Sequence, residues 1–342
     1  MGHKKKTSDS RNLHKQAYDC LKKMQHFGDS KKDDMAYDKA HDTDTVSGKI
    51  YSYSTYKTYW KHIKYFIRWV QNEYPDCKKL SKAEKYVSVW LQTRVNAGLS
   101  AWTIQTEAAA LNKLYGIKKD HPKRFQPPRR RKEDIVRSRG TKKRDKHFSE
   151  AKNEELVNFC KGCGFRRNVL EKLKGRDLYD RKKIEDALIQ AKIENDVSMM
   201  RSCTDALKTF PDQDYFILHR NDKGGKTRIS PIVGPNKEKI IKRMQDTNPD
   251  ELVWQYVSRN CDVHSYRANY ATYLYKEYAR PIKNLNFKKK IKCADGKYRS
   301  EIYVCRGDEK GKKLDRRAIG IISIALGHNR EDTSISNYIR NL

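Results

Sequence analysis

Four stretches of this chain carry side chains of the kind that handle a phosphate. In His264-Ser265-Tyr266-Arg267 the histidine and arginine stand three residues apart, a spacing that puts both on one helix face and lets both reach a single phosphate. Leu326-Gly327-His328 has a glycine where a helix C-cap belongs, which directs His328 off the helix end, and Tyr338 follows ten residues later. Gly164-Phe165-Arg166 sets an arginine just past a helix break, from which its forked guanidinium can project toward phosphate oxygens. Lys223 lies at the tip of the turn Asn221-Asp222-Lys223-Gly224-Gly225. Glycine lets such a turn approach a ligand closely, and the lysine can act there as a mobile cation or a general acid. Taken singly, each feature is ordinary. His-x-x-Arg occurs by chance in basic proteins, a lone histidine after a helix is more often structural, and Arg166 is one of 75 Lys and Arg residues.

The elements that must hold these residues are legible from periodicity. A helix begins near Ser149, runs to about Cys160 and breaks at Gly162 and Gly164. Residues 181–209 form a charged helical stretch. Tyr215–His219 and Lys226–Ser230 read as two strands of a hairpin around the glycine-rich turn. The spacing predicts a helix over 262–279, and a basic segment over 281–313 with a second hairpin near Ala294-Asp295-Gly296. Asp315 caps a helix that stops at Gly327, and Thr333–Leu342 reads as a short helical piece.

Upstream, residues 51–116 read as three helices that could form a small all-α domain. Tyr56, Trp60, Ile63, Ile67 and Val70 recur at helical spacing in the first. Ser81-Lys82-Ala83-Glu84 reads as a capping box opening the second, which ends near Gly98. The third follows Ser100, lines Ile104, Ala108, Leu111 and Tyr115 along one face, and stops at Gly116. Residues 1–50 are a polar extension with one helix, about Arg11–Phe27, and a flexible connector from Asp33 to Gly48. Between the folded parts, 117–148 changes character. Lys118 to Lys146 holds 14 Lys and Arg against 4 Asp and Glu, and Pro122, Pro127 and Pro128 keep it out of regular structure. Its densest point is Arg129-Arg130-Arg131-Lys132, and the segment reads as a solvated linker, a localisation signal or a strap across a phosphate backbone.

Composition narrows the function classes. The 342 residues suggest two domains, at ~150 residues each. Formal charge is +32, yet 35 aromatic residues supply a core, so the chain reads as folded with a very basic surface. Such a charge disfavours self-association and favours a polyanion. The longest apolar run, Ala318–Leu326, falls short of the ~18 residues a membrane span needs. No signal peptide follows His3-Lys4-Lys5-Lys6, and Lys6 stands where the myristoylation motif at Gly2 wants Ser or Thr. Eight scattered cysteines read as reduced thiols, and the lone Cys160–Cys163 pair cannot close a tetrahedral zinc site.

The order Arg166, Lys223, His264-x-x-Arg267, Leu-Gly-His328, Tyr338 resembles the tyrosine recombinase (phage integrase) family. His264-Ser-Tyr-Arg-Ala-Asn-Tyr-Ala-Thr-Tyr-Leu274 is similar to that family's His-x-Leu-Arg-His-Thr-Phe-Ala-Thr-His-Leu stretch, and Lys223-Gly-Gly-Lys-Thr-Arg-Ile-Ser-Pro231 to its Gly-Lys-Gly-x-Lys-x-Arg-x-Val-Pro hairpin. The resemblance covers about 149–342, and 51–116 resembles the family's helical core-binding domain. It implies a mainly α fold of two domains: a small SAM-like core-binding domain at 51–116, and a mixed catalytic domain at 149–342 with a small antiparallel sheet. It implies a site-specific recombinase or integrase of a mobile element, with Tyr338 as the nucleophile of a 3′-phosphotyrosine intermediate and strand exchange through a Holliday junction. By the same resemblance Arg166 and Arg267 hold the phosphate, Lys223 protonates the leaving 5′ oxygen, His264 assists proton transfer and His328 donates to the phosphate. Arg129, Arg130, Arg131, Lys132 and Lys226 are the expected DNA contacts. Neither metal nor cofactor is expected. The expected partners are double-stranded attachment sites, three further copies of the chain on DNA and an accessory factor for excision, with the free protein a monomer or weak oligomer in a bacterial cytoplasm, on the nucleoid.

Arg167 is a rival for the role of Arg166, and Lys226 for that of Lys223. Val169 stands where many members carry a glutamate after the first arginine, which implies a different brace for Arg166. The interval from His328 to Tyr338 is one residue longer than usual, and 181–209 and 281–313 are extra. Only Ile339–Leu342 follows Tyr338, so the expected link between protomers is the N-terminal helix, through the stripe Leu13, Ala17, Leu21 and Met24, or else one of the inserts. Two other functions share parts of this pattern: a monomeric type IB topoisomerase, and a DNA-binding regulator on the same scaffold.

Overall fold

The computed structural model describes residues 12–122, 124–131, 147–222, 225–293, 296–306, 309–328, 335 and 338–339. It is mainly helical with small antiparallel sheets. The chain divides into two compact units, Met1–Asp134 and Ile135–Leu342. Among the described residues, no helix is long and apolar enough to cross a membrane.

The first unit is all-α: α1 (Leu13–Lys23), α2 (Lys31–His41), α3 (Thr45–Gly48), α4 (Tyr53–Glu73), α5 (Leu80–Ala83), α6 (Val87–Asn96) and α7 (Ala101–Tyr115). Its core joins Ile63, Phe66, Ile67 and Val70 of α4 to Val87, Trp90 and Leu91 of α6 and to Ala108 and Leu111 of α7. Ser100 caps α7, its hydroxyl accepting from the Thr103 amide, and Gly116 ends it in the left-handed region. The buried carboxylate of Glu107 accepts two hydrogen bonds from Arg94, both 3.0 Å.

Three expectations are corrected here. The apolar stripe of α1 is not left for a neighbouring protomer: Leu13, Ala17 and Leu21 are buried in the core of their own unit, because α1 packs against α4, α5 and α7. Residues 33–48 are not a bare connector. They build α2 and α3, stapled by the Asp38 carboxylate, which accepts from Thr43 Oγ1, Thr45 Oγ1 and the amides of Thr45 and Val46. Ser81 caps nothing: α5 opens after Lys79 with no side-chain cap and passes through a 3₁₀ turn into α6. The start of the basic segment also folds against this unit. Pro128 O accepts from Gln105, and the Arg130 guanidinium lies 5.8 Å from the centre of the Trp102 ring.

The packing of α1 makes a measurable prediction. Leu21 is fully buried, so Leu21→Ala should remove ~2–5 kcal/mol from the stability of the first unit. The loss should be the same at every protein concentration, since the stripe faces its own core. A loss that vanishes on dilution would return α1 to the interface between copies.

The second unit contains α8 (Glu154–Cys163), α9 (Arg167–Leu170), β1 (Leu178–Asp180), α10 (Arg181–Ile193), α11 (Val197–Thr209), β2 (Tyr215–Asp222), β3 (Lys226–Pro231), α12 (Lys237–Gln245), α13 (Val263–Tyr278), β4 (Lys290–Lys292), β5 (Tyr298–Ser300), β6 (Ile302–Val304), β7 (Lys313–Asp315) and α14 (Arg316–Ala325). Its main sheet runs β1-β2-β3, all antiparallel, with β2 in the centre and Ile217 opposite Ser230. Alternation along β2 separates two cores. Phe216 and Leu218 face one, with α11, α13 and α14, while Ile217 faces the other, with α8 and α12. The 181–209 insert is the helical pair α10–α11, tied to β3 by Ser202 Oγ donating to Thr227 O at 2.8 Å. The 281–313 insert forms the ribbon β4–β5 and one strand of the ribbon β6–β7, with its base clamped where Arg280 meets Asp315 and Glu301.

Candidate functional site

The site starts from the break after α8. Gly164 takes φ 63°, and a Cβ there would lie 2.3 Å from the Tyr270 ring, so only glycine fits. This bend frees the Gly164 carbonyl, which accepts from Nη1 of Arg267 and, at 3.0 Å, from Nη2 of Arg228. Arg267 lies one turn into α13, whose cap is Asp262 accepting from the Ser265 amide at 3.1 Å. It is 0% exposed. Its second Nη donates to Leu326 O, and its buried Nε has no hydrogen-bond partner among the described residues. Burial, and then Arg228 and Arg166, push its pKa below the usual guanidinium value.

At the other side α14 ends in a Schellman motif. The His328 amide donates to Ser323 O and the Gly327 amide to Ile324 O, at 2.8 and 2.9 Å. Gly327 adopts φ 64°, and a Cβ on it would press on the Arg228 side chain at 2.8 Å. His328 is thereby turned toward Tyr338, with ring centres 5.1 Å apart, while His264 meets the same ring edge-on at 5.0 Å. The Arg267 guanidinium lies 5.4 Å from the Tyr338 ring centre. Tyr338 is itself buried, its carbonyl accepting from Thr272 Oγ1 at 3.4 Å. Three of the sequence-predicted residues, His264, Arg267 and His328, therefore meet around the ring of a fourth, Tyr338.

Arg166 precedes α9 in extended conformation and forms an ion pair with Asp222 at the end of β2. Arg167, one residue on, points elsewhere: its guanidinium donates to Ser258 O, Arg259 O and Cys261 O and pairs with Glu171. Lys223 lies outside the described residues. Lys226 opens β3 opposite Asp222 and is exposed. Arg129, Arg130 and Arg131 are exposed residues of the first unit, whereas the cluster belongs to the second; Lys132 lies outside the described residues.

Sequence reasoning missed the buried polar layer beneath the cluster. Arg228 donates from Nε to Asp222 at 3.0 Å, from Nη1 to Ala325 O, and from Nη2 to Gly164 O and His219 Nδ1. A guanidinium only donates, so His219 Nδ1 accepts and its Nε2–H donates to Ser230 Oγ at 2.7 Å. Burial and Arg228 hold His219 well below its ordinary pKa, in keeping with that neutral form. Arg228 was visible inside the hairpin motif, but nothing in the spacing marked it as the tie between three elements. Burial, followed by Arg267, Arg166 and Arg228, lowers His328 to about 3. The cluster thus presents fixed cations and a neutral imidazole around a phenol, a setting suited to an oxyanion and to proton movement at Tyr338.

The His328 shift carries a stability prediction. Below its ordinary pKa of ~6.5 the unfolded chain protonates His328, and the folded chain does so only near pH 3. The stabilisation is therefore whole above pH ~6.5 and declines as pH falls toward 3, each unit of the shift being worth ~1.4 kcal/mol. In denaturant unfolding, wild type should lose stability relative to His328→Gln as pH drops from 7 to 4.5. Parallel curves would refute the assignment.

Among the described residues no group of three or more His, Cys, Asp or Glu could hold a metal ion. Set against known proteins, the chain matches no protein-family model and no curated protein.

Proposed function

We propose that the chain cuts and rejoins DNA at defined sites as a tyrosine-type recombinase, with the first unit as its helical DNA clamp and the second as its catalytic domain. The observation that carries this reading is the seating of Tyr338 between His264 and His328 and over Arg267, in the order of motifs that suggested the family. The Tyr338 hydroxyl attacks the scissile phosphorus. Its proton passes to His264, the P–O5′ bond breaks, and the leaving oxygen takes a proton from Lys223. Arg166 and Arg267 neutralise the non-bridging oxygens, and the buried Nε of Arg267 is a donor still lacking an acceptor among the described residues. His328, kept neutral, donates to the same phosphate. One phosphodiester replaces another, so the phosphotyrosine stores the energy for rejoining, and no nucleotide is consumed. Four copies acting on two duplexes complete the exchange.

The test is to recover protein–DNA adducts under denaturing conditions from cells expressing the chain and to sequence the attached DNA. Recurrent junctions support the recombinase. Scattered junctions with relaxation of supercoiled plasmid would point to a topoisomerase, and tight binding without any adduct to a regulator.

A further inference from the structure

We infer that Asp222 is the positioning residue that holds Arg166 in the anion site, an assignment that rests on the recombinase reading. Asp222 ends β2, at the mouth of a hairpin, where a side chain would ordinarily meet water. It is instead 2% exposed. The strand loses register between His219 and Asp222, and Asn221 takes the left-handed conformation at φ 47°. This irregularity turns the carboxylate inward.

A carboxylate is an odd occupant of a site built for phosphate, since like charges repel. Burying it is costly unless it is paired. Two guanidiniums pair with it, Arg228 at 3.0 Å and Arg166. The two partners are not equivalent. Arg228 is locked by the carbonyls of Gly164 and Ala325 and by His219. Arg166 is on the open side, its side chain 21% exposed. Order therefore passes from the scaffold through Arg228 to Asp222, and from Asp222 to Arg166. A second tie runs beside it, Asn168 Nδ2 of α9 donating to Asn221 O at 3.3 Å. Val169, the residue on α9 from which a brace is otherwise expected, is buried among apolar side chains and brings no charge.

The experiment uses the full-length protein and the DNA recovered from its adducts, built as a nicked substrate that traps the covalent complex. Single-turnover cleavage, DNA affinity and thermal stability are measured for wild type, Asp222→Asn, Asp222→Glu, Arg166→Ala and the double variant Arg166→Ala/Asp222→Asn. Asp222→Asn should slow cleavage by ~10–10²-fold, the scale of an ångström-level misplacement, with DNA affinity nearly unchanged. Asp222→Glu keeps the charge and should recover part of the rate. In the Arg166→Ala background the Asp222→Asn change should cost almost nothing more, because the residue it positions is gone. Full-rate cleavage by Asp222→Asn, or losses that multiply in the double variant, would overturn the brace alone. If Asp222→Asn is too unstable to assay, Asp222→Glu is compared with and without Arg166→Ala: a rate loss of the same size in both backgrounds overturns the assignment. Absence of any Tyr338-dependent adduct from wild type would overturn the recombinase reading, and the brace with it.

Discussion

Tyr338→Phe is expected to eliminate covalent DNA attachment while site binding is retained. The substitution removes one hydroxyl and no cation. The ring stays, and it is the ring that packs against His264, His328 and Arg267, so the surrounding cluster should keep its form. The change isolates the chemistry more cleanly than one at Arg267, which also holds structure. The readout is the protein–DNA adduct on a denaturing gel beside a binding isotherm at the same salt. Adduct formed at the wild-type level would move the nucleophile to another of the 21 tyrosines, and loss of binding together with adduct would assign Tyr338 to the fold.

Arg267→Ala should be nearly as severe, for two reasons that can be separated. A lost donor to the developing oxyanion costs ~3–4 kcal/mol, or 10²–10³ in rate. Arg267 also pins the carbonyls of Gly164 and Leu326, the two chain ends that aim Arg166 and His328. Its removal leaves Leu326 O short of a donor, which costs ~1–3 kcal/mol, while Gly164 O keeps the bond from Arg228. Arg267→Ala should therefore lower both cleavage and thermal stability. Arg267→Lys keeps the charge but not the fork, and should recover DNA affinity without recovering cleavage. Arg167→Ala is the informative contrast. Its guanidinium holds the loop at 258–261, so it should lower stability and leave the chemistry at the cluster largely intact. Inactive Arg167→Ala beside active Arg166→Ala would exchange the two assignments.

Both expectations depend on how little of the site's support can be read from a linear chain. Local rules fared well where one stretch of residues decides its own conformation. The helical spacing of Tyr56 to Val70 lies within α4, Ser100 and Gly116 bound α7, Asp315 caps α14, and the glycine-rich turn joins β2 to β3. Each of these is settled by hydrogen bonds and sterics a few residues apart. Local rules failed where the partner is distant. The three-residue strands β1, β6 and β7 are too short to show alternation, and exist because β1 pairs with β2 and β6 with β7. The stripe on α1 identified a face to be buried, but not what would cover it, since periodicity specifies which side is apolar and says nothing of what it meets.

The same division runs through the site. The amino-acid sequence by itself determined a basic, aromatic-rich chain, its main helices, and an ordered set of arginines, histidines and a tyrosine suited to phosphate chemistry. Only the tertiary structure decided that Arg166 turns toward Asp222 while Arg167 turns toward the loop before α13. It alone placed the Gly164 carbonyl under two guanidiniums, and it alone drew a carboxylate from a hairpin mouth into the cluster. The physical reason is that burial and charge pairing depend on groups tens of residues apart in the chain. Asp222 and Arg228 acquire their roles only when α8, β3 and α14 close around them.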